Sequence, residues 1–252
     1  MPRADLLLVA LGLAPSRTAA QSMIAAGRVT ADGKTVAKPS QPLDHGAQIV
    51  IAPHEADRFV SRGGLKLAGA LAHCRLDLRG WQVLDIGQST GGFTDCLLQA
   101  GAQRVLGLEV GHGQLHPRLA GDTRVATLEG VNARHATPAL LAPHLDGPPD
   151  AAVGDVSFIS LTLLLPALAA LLPAGGTLLF LVKPQFEVGP AALGKGGIVR
   201  DTAHYPAVQA RICTAAAAAG FTVLDYFASP ITGGDGNREF FIYARRGQPA
   251  PA

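Results

Sequence analysis

The chain has 252 residues, 48% hydrophobic and 16% charged, with a formal net charge of +2. Such a composition supports a sizeable packed core and excludes a disordered chain, while so small a net charge says little about partners. Three cysteines, Cys74, Cys96 and Cys213, are odd in number and lack paired spacing, which argues against a disulfide framework and against a metal site. The expectation is a cytoplasmic protein with reduced thiols, no metal and no signal peptide.

Residues 3–12 have a helical pattern, and Pro15-Ser16 precedes a second helix over 17–26, with Ser16 as its N-cap and Gly27 at its end. Asp32-Gly33 predicts a hairpin between short strands, and residues 48–51 read as a last short strand. Residues 1–53 hold five basic and three acidic residues, a small positive excess. They form an α+β module too small to be more than marginal alone. Residues 54–58 read as a linker.

From residue 59 to 246 the rhythm is strand and helix in alternation. Strands are expected at 83–86, 105–108, 124–128, 151–154 and 177–182, with helices at 93–100, 161–172 and 205–219. This predicts an α/β domain of Rossmann-like type with a mostly parallel sheet. Two last strands, 223–227 and 239–244, are expected to pair antiparallel at its edge, and 247–252 is a tail. The uncharged run Leu161 to Val182 is 22 residues long, enough on length alone to span a bilayer. Pro166, Pro173 and Gly175-Gly176 interrupt it, so it reads as a buried helix followed by a buried strand, and no membrane partner is expected.

The first strand of this domain ends in Asp85-Ile86-Gly87-Gln88-Ser89-Thr90-Gly91-Gly92-Phe93. Ligands of open α/β sheets sit outside the carboxyl ends of the strands. The glycine spacing is not that of dinucleotide binders and suits a methionine-derived nucleoside without a pyrophosphate. Glu109, 24 residues after Asp85, stands where an acid accepts from ribose hydroxyls. Asp155, Lys183 and Glu239 fall at strand ends, and Lys66 at the start of the domain's first helix. Two lysines and two acids suit methyl transfer to a ribose hydroxyl, because ammonium groups favour the alkoxide and carboxylates hold the lysines.

Further motifs are Val60-Ser61-Arg62-Gly63-Gly64, Gly113-Gln114-Leu115, Asp155-Val156-Ser157-Phe158-Ile159-Ser160, Lys183-Pro184-Gln185-Phe186-Glu187 and Lys195-Gly196-Gly197-Ile198-Val199-Arg200-Asp201. With these the chain resembles the TlyA, or hemolysin A-like, family of ribosomal RNA 2′-O-methyltransferases, with a catalytic domain of FtsJ type. The resemblance implies S-adenosylmethionine as cofactor, ribosomal RNA or ribosomal subunits as partner, cytidine ribose as acceptor, and Lys66, Asp155, Lys183 and Glu239 as the catalytic tetrad. The cofactor residues expected are Asp85, Gly87, Ser89, Thr90, Gly91, Gly92, Phe93, Glu109, Asn132 and Asp155. The N-terminal module resembles the small RNA-binding domain named after a ribosomal small-subunit protein. Arg3, Ser16, Arg17, Gln21 and Lys38 are the expected RNA contacts, with Arg62 from the larger domain. Gln88 stands where the family has a small residue, which implies a tighter methionine end of the pocket. His116 and Gly130-Val131 also depart from the family pattern, at the adenosine-side wall. The alternatives are a cytolysin, which would need the run at 161–182 as its membrane-active segment, and a catalytically silent RNA-binding protein.

Overall fold

Two helices of the N-terminal segment, α1 (Ala4–Ala10) and α2 (Arg17–Ala25), turn apolar stripes inward. Leu7, Leu8, Ala20 and Ile24 pack there against Val29 and Val36. Ser16 caps α2, its hydroxyl accepting from the Ala19 N–H at 3.2 Å. The strands β1 (Val29–Ala31), β2 (Lys34–Thr35) and β3 (Ile49–Ile51) pair antiparallel in the order β2-β1-β3. Asp32 and Gly33 both have positive φ, 50° and 76°, the two-residue turn whose twist matches that of the strands. This segment is one of two compact units, Met1–Asp57 and Arg58–Ala252. The structure, a computed structural model, describes residues 1–14, 16–54, 57–233 and 236–248. Pro15, Glu55-Ala56 of the expected linker and 249–252 of the expected tail lie outside the described residues.

At the head of α1, Asp5 is fully buried yet charged. Its carboxylate accepts from Arg3 at 2.9 and 3.0 Å, from Arg17 at 2.9 Å and from Gln21 at 2.9 Å. The Arg3 guanidinium first, then Gln21 and Arg17, hold the Asp5 carboxyl well below the usual carboxylate range.

The second unit contains α3 (Gly63–Cys74), β4 (Gln82–Ile86), α4 (Gly92–Gln99), β5 (Arg104–Glu109), α5 (Pro117–Ala120), β6 (Val125–Glu129), α6 (Pro138–Leu141), β7 (Ala151–Gly154), α7 (Leu165–Leu171), β8 (Thr177–Val182), α8 (His204–Ala218), β9 (Phe221–Ala228) and β10 (Phe240–Arg246). Its sheet runs β6-β5-β4-β7-β8-β10-β9. The first five strands are parallel, and β10 is antiparallel to both neighbours. Successive strand residues face opposite sides. Leu84, Ile86, Leu106, Phe180 and Ile242 therefore pack on α7 and α8, while Val83, Val105, Leu179, Leu181 and Phe241 pack on α3 and α4.

The two last strands pair antiparallel with each other at the sheet edge, as expected, with β10 between β8 and β9 and β9 outermost. The apolar residues of β10 fit that place, since Phe241, Ile242 and Ala244 are all buried, whereas Leu224 on β9 is exposed. The helix expected over 161–172 begins as a 3₁₀ turn, Leu161–Leu163, before α7. Pro166 is accommodated in the first turn of α7, where no N–H is required. The uncharged run thus ends in β8, buried along its whole length. Among the described residues no helix is long and apolar enough to cross a membrane.

Helices α3 and α4 meet at their N-termini. A Cβ at Gly92 would strike the Ser61 hydroxyl and approach the backbone nitrogen of Gly64 at 3.1 Å. Replacing Gly92 with Ala should therefore part the two helices and destabilise the domain by about 1–3 kcal/mol, read as a lower unfolding midpoint in urea. For the N-terminal unit, the depressed Asp5 carboxyl contributes stability that is present above the ordinary carboxylate range and is lost as pH falls through the lower folded value. Asp5→Asn is expected to lower the unfolding temperature at pH 7. The gap to the parent should close as pH drops below about 4, a trend that calorimetry at several pH values would check.

Candidate active site

Parallel strands deliver their carboxyl ends to one edge of the sheet. The antiparallel β10 delivers its amino end to that same edge. Phe240 pairs with Val182, so the residues just outside that pair, Glu239 and Lys183, emerge side by side. Gly154 pairs with both Ile86 and Phe180, which puts Asp155 between the glycine loop and Lys183. Lys66 reaches the same place from the first turns of α3.

These four side chains interlock. Lys183 Nζ lies 2.6 Å from Asp155 Oδ1, Lys66 Nζ lies 3.3 Å from Asp155 Oδ2, and Lys66 Nζ lies 2.7 Å from Glu239 Oε2. Lys183 Nζ also donates to Ser157 Oγ at 2.8 Å. The side chains of Lys66 and Glu239 are only 9% and 3% exposed. Unpaired charges so deep would be prohibitive, and strict alternation of sign offsets much of that cost.

Beside the tetrad a cavity of about 480 Å³ opens, lined by Gly87, Ser89, Glu109, Asn132, Asp155 and Phe158 among others. A second space of about 260 Å³ shares Gly87, Ser89, Asp155 and Ser157 with it and adds Thr90, Gly92, Phe93 and Lys183. Glu109 accepts from the backbone N–H groups of Ser89 and Gly111, each at 2.8 Å, which fixes its carboxylate at the cavity wall. Asn132 Oδ1 accepts from the Arg134 N–H at 3.0 Å.

Of the expected cofactor residues, Asp85 and Gly91 line neither space. Asp85 lies beneath the loop, where Thr94 Oγ1 donates to it at 2.6 Å. Burial pushes its carboxyl up to about 7. At Gly91 the side chains of Leu115 and Leu119 fill the room that a Cβ would take. His116 proves to be a cap rather than a wall, its Nδ1 accepting from the Arg118 N–H at 3.2 Å. The expected narrowing by Gln88 has a different outcome, because its amide is turned down under the loop against Gly107.

The expected RNA contacts fall in two places. In the N-terminal unit, Arg3, Arg17 and Gln21 converge on Asp5. Lys38 is exposed beside them, on the turn whose backbone binds Ala4 and Asp5. The hydroxyl of Ser16 is engaged in capping α2. In the larger unit, exposed Arg62 donates to the Thr232 carbonyl at 3.1 Å.

Three residues at this edge escaped the sequence reading. Phe158 is 91% exposed with φ +64°, a backbone region that non-glycine residues seldom occupy. Its ring rests 5.1 Å from that of Phe186. Glu187 fastens the loop that carries Phe158, accepting from Ser160 Oγ at 2.7 Å and from the Leu161 N–H at 2.8 Å. Buried Asn237 accepts from the Val199 N–H at 3.0 Å and donates to the Gly197 carbonyl at 3.2 Å, tying the Lys195–Arg200 motif to the segment that leads into Glu239. The Phe-Ile-Ser and Gln-Phe-Glu motifs were legible as motifs, but which side chain pointed outward was not.

Residues 59–246 match the FtsJ-like methyltransferase family, and residues 3–49 match the S4 domain. The 16S/23S rRNA (cytidine-2′-O)-methyltransferase TlyA of Mycobacterium tuberculosis is 40% identical over 247 residues, covering 96% of this chain and 89% of its own length. Hemolysin A of Brachyspira hyodysenteriae is 35% identical, covering 92% of this chain and 95% of its own. The solved structure of a hemolysin-named protein from Streptococcus thermophilus superposes with a TM-score of 0.77 at 41% identity, covering 98% of this chain and 88% of that one. The hemolysin name finds no support in the run at 161–182, the segment a cytolysin would need, since that run supplies a central strand. The chain is an FtsJ-like methyltransferase and belongs to the TlyA family.

Proposed function

We propose that this chain transfers the methyl group of S-adenosylmethionine to a ribose 2′-hydroxyl of ribosomal RNA, on cytidine, in the cytoplasm. The observation that carries the reading is the interlocked Lys66–Asp155–Lys183–Glu239 chain at the mouth of a nucleoside-sized cavity. The cavity suits the cofactor. Its walls are mainly apolar around Ile86, Leu108, Val131 and Ile159, with Glu109 available to the ribose and Asp155 to a cationic group.

Bound there, S-adenosylmethionine would supply an electrophilic methyl group on a sulfonium. The protein's share is orientation and electrostatics. Lys183, held by Asp155 and Ser157, stabilises negative charge that develops on the attacking 2′-oxygen. Lys66, bridging Asp155 and Glu239, keeps Asp155 from turning away. Arg3, Arg17, Gln21 and Lys38, with Arg62, hold RNA through its phosphates without reading sequence. Ser16 serves that face by capping the helix that carries Arg17 and Gln21. Exposed Phe158, beside the cavity, offers a stacking face to the base of the target nucleotide.

The deciding experiment incubates the protein with labelled S-adenosylmethionine and unmodified ribosomal subunits and then maps ribose methylation. Transfer to a cytidine ribose is expected; no transfer to either subunit or to free ribosomal RNA would overturn the reading. Lys183→Ala should lower turnover by at least about 10²-fold with RNA affinity kept, and unchanged transfer would remove Lys183 from the chemistry. Phe158→Ala should raise the KM for RNA by roughly tenfold, with a smaller loss of cofactor affinity because residue 158 also lines the cavity, which steady-state kinetics and calorimetry together would check.

A further inference from the structure

Beneath the glycine loop runs a line of hydrogen bonds outside the tetrad, of whose members Gln88 also borders the smaller space. Thr127 on β6 donates to Gln88 Oε1 at 2.8 Å, Gln88 Nε2 meets Thr94 Oγ1 at 2.9 Å, and Thr94 Oγ1 donates to Asp85 Oδ2 at 2.6 Å. Gln88 is 3% exposed, and Asp85 and Thr94 are buried. The Gln88 amide occupies a notch that exists because residue 107 on β5 is glycine; any Cβ there would overlap it.

The direction of this line follows from the chemistry. A carboxylate only accepts, so the single Thr94 proton points at Asp85. Thr94 then accepts from the Gln88 NH2 group, and the Gln88 oxygen is left to accept from Thr127. Protonating Asp85 at Oδ2 would break this order, because the Thr94 proton would be left facing an NH2 group that cannot accept it. The other Asp85 oxygen, Oδ1, is buried with no hydrogen-bond partner among the described residues. Asp85 directly precedes Ile86 and Gly87, which line the cavity.

We propose that Gln88 is a positioning residue: seated in the Gly107 notch, it orients the Thr94 hydroxyl toward Asp85 and so keeps that carboxylate ionised beneath the cavity, where it favours binding of a cationic methyl donor. The inference rests on the S-adenosylmethionine reading above. The charged groups facing Asp85 are Asp155 beyond β7 and Glu109 at the end of β5, which act with burial to favour its neutral form, while Thr94 opposes them. Cys96 on α4 also faces Asp85. A cation entering the cavity favours the ionised form. Cofactor affinity is therefore expected to rise with pH through about 7 and to level off above it.

The test is calorimetric binding of S-adenosylmethionine to the full chain over a pH series. Gln88→Glu replaces the NH2 donor with a second acceptor that competes for the Thr94 proton and adds negative charge. Its pH midpoint should move up by about one unit, with affinity at pH 7 lower by roughly five- to tenfold. Gln88→Met keeps the volume but removes the NH2 donor that orients Thr94, so its midpoint should also move up, by less than in Gln88→Glu, and a midpoint at the parent value would overturn the inference. Thr127→Val is the companion variant should Gln88→Glu not fold. It leaves Gln88 in place but frees its amide to turn, and a smaller upward shift is expected. Parent midpoints in both Gln88→Glu and Thr127→Val, or a parent affinity flat with pH, would overturn the inference and leave the cofactor reading standing. A parent that does not bind S-adenosylmethionine at any pH would overturn both.

Discussion

The edge of the larger unit is organised by one constraint: four charges stand where the sheet ends, and none is tolerable there alone. Lys66 and Glu239 are nearly sealed from water, and Asp155 and Lys183 are only modestly exposed. Each lies against a neighbour of opposite sign, which offsets much of the cost of its burial. Four separate elements must end at one point for that to hold. The antiparallel insertion of β10 is what makes it possible, since a parallel last strand would have sent Glu239 to the opposite edge. The close seating of α3 on α4 at Gly92 does the same for Lys66.

Most of this was legible in the sequence, for physical reasons. The strands buried on both faces, such as Thr177–Val182 and Ala151–Gly154, read as short apolar runs bounded by turns, and the structure forms them over those same residues. Asp32-Gly33 fixed a hairpin because few other residue pairs accept two left-handed conformations. Charged residues directly after buried strands pointed to the tetrad because burial makes them exceptional. What the sequence concealed was long-range. The place of β10 between β8 and β9 depends on pairing across dozens of residues, and local pattern carries no register. The downward turn of Gln88 depends on an absent side chain at Gly107, one strand away. The outward ring of Phe158 depends on a positive φ that no local motif announces.

The cavity shows how neighbouring carboxylates are given different environments. Asp155 is paired with two lysines, Glu109 accepts from two backbone N–H groups, and Asp85 is held by the hydroxyl and backbone N–H of Thr94. Burial pushes the Asp85 carboxyl up to about 7. Graded compensation of this kind divides tasks among like residues. A carboxylate bound by lysines serves to hold them, one bound by N–H groups presents fixed acceptors, and one held by a single residue responds to whatever charge arrives.

The N-terminal unit applies the same physics to a different end. Asp5 is as buried as any member of the tetrad and likewise gathers cationic groups around it. Its partners Arg3 and Arg17, however, remain 43% and 56% exposed. Arginine offers five donors in a planar fork, so a guanidinium that spends some of them on Asp5 still has others for a phosphate. Lysine offers a compact charge with three donors, and the tetrad's lysines use theirs inward, leaving a field that acts on whatever enters the adjoining cavity. A buried carboxylate thus fixes the direction of nearby cations in both units. Exposure then separates the two sets: Arg3 and Arg17 reach the surface, and the side chains of Lys66 and Lys183 stay largely within.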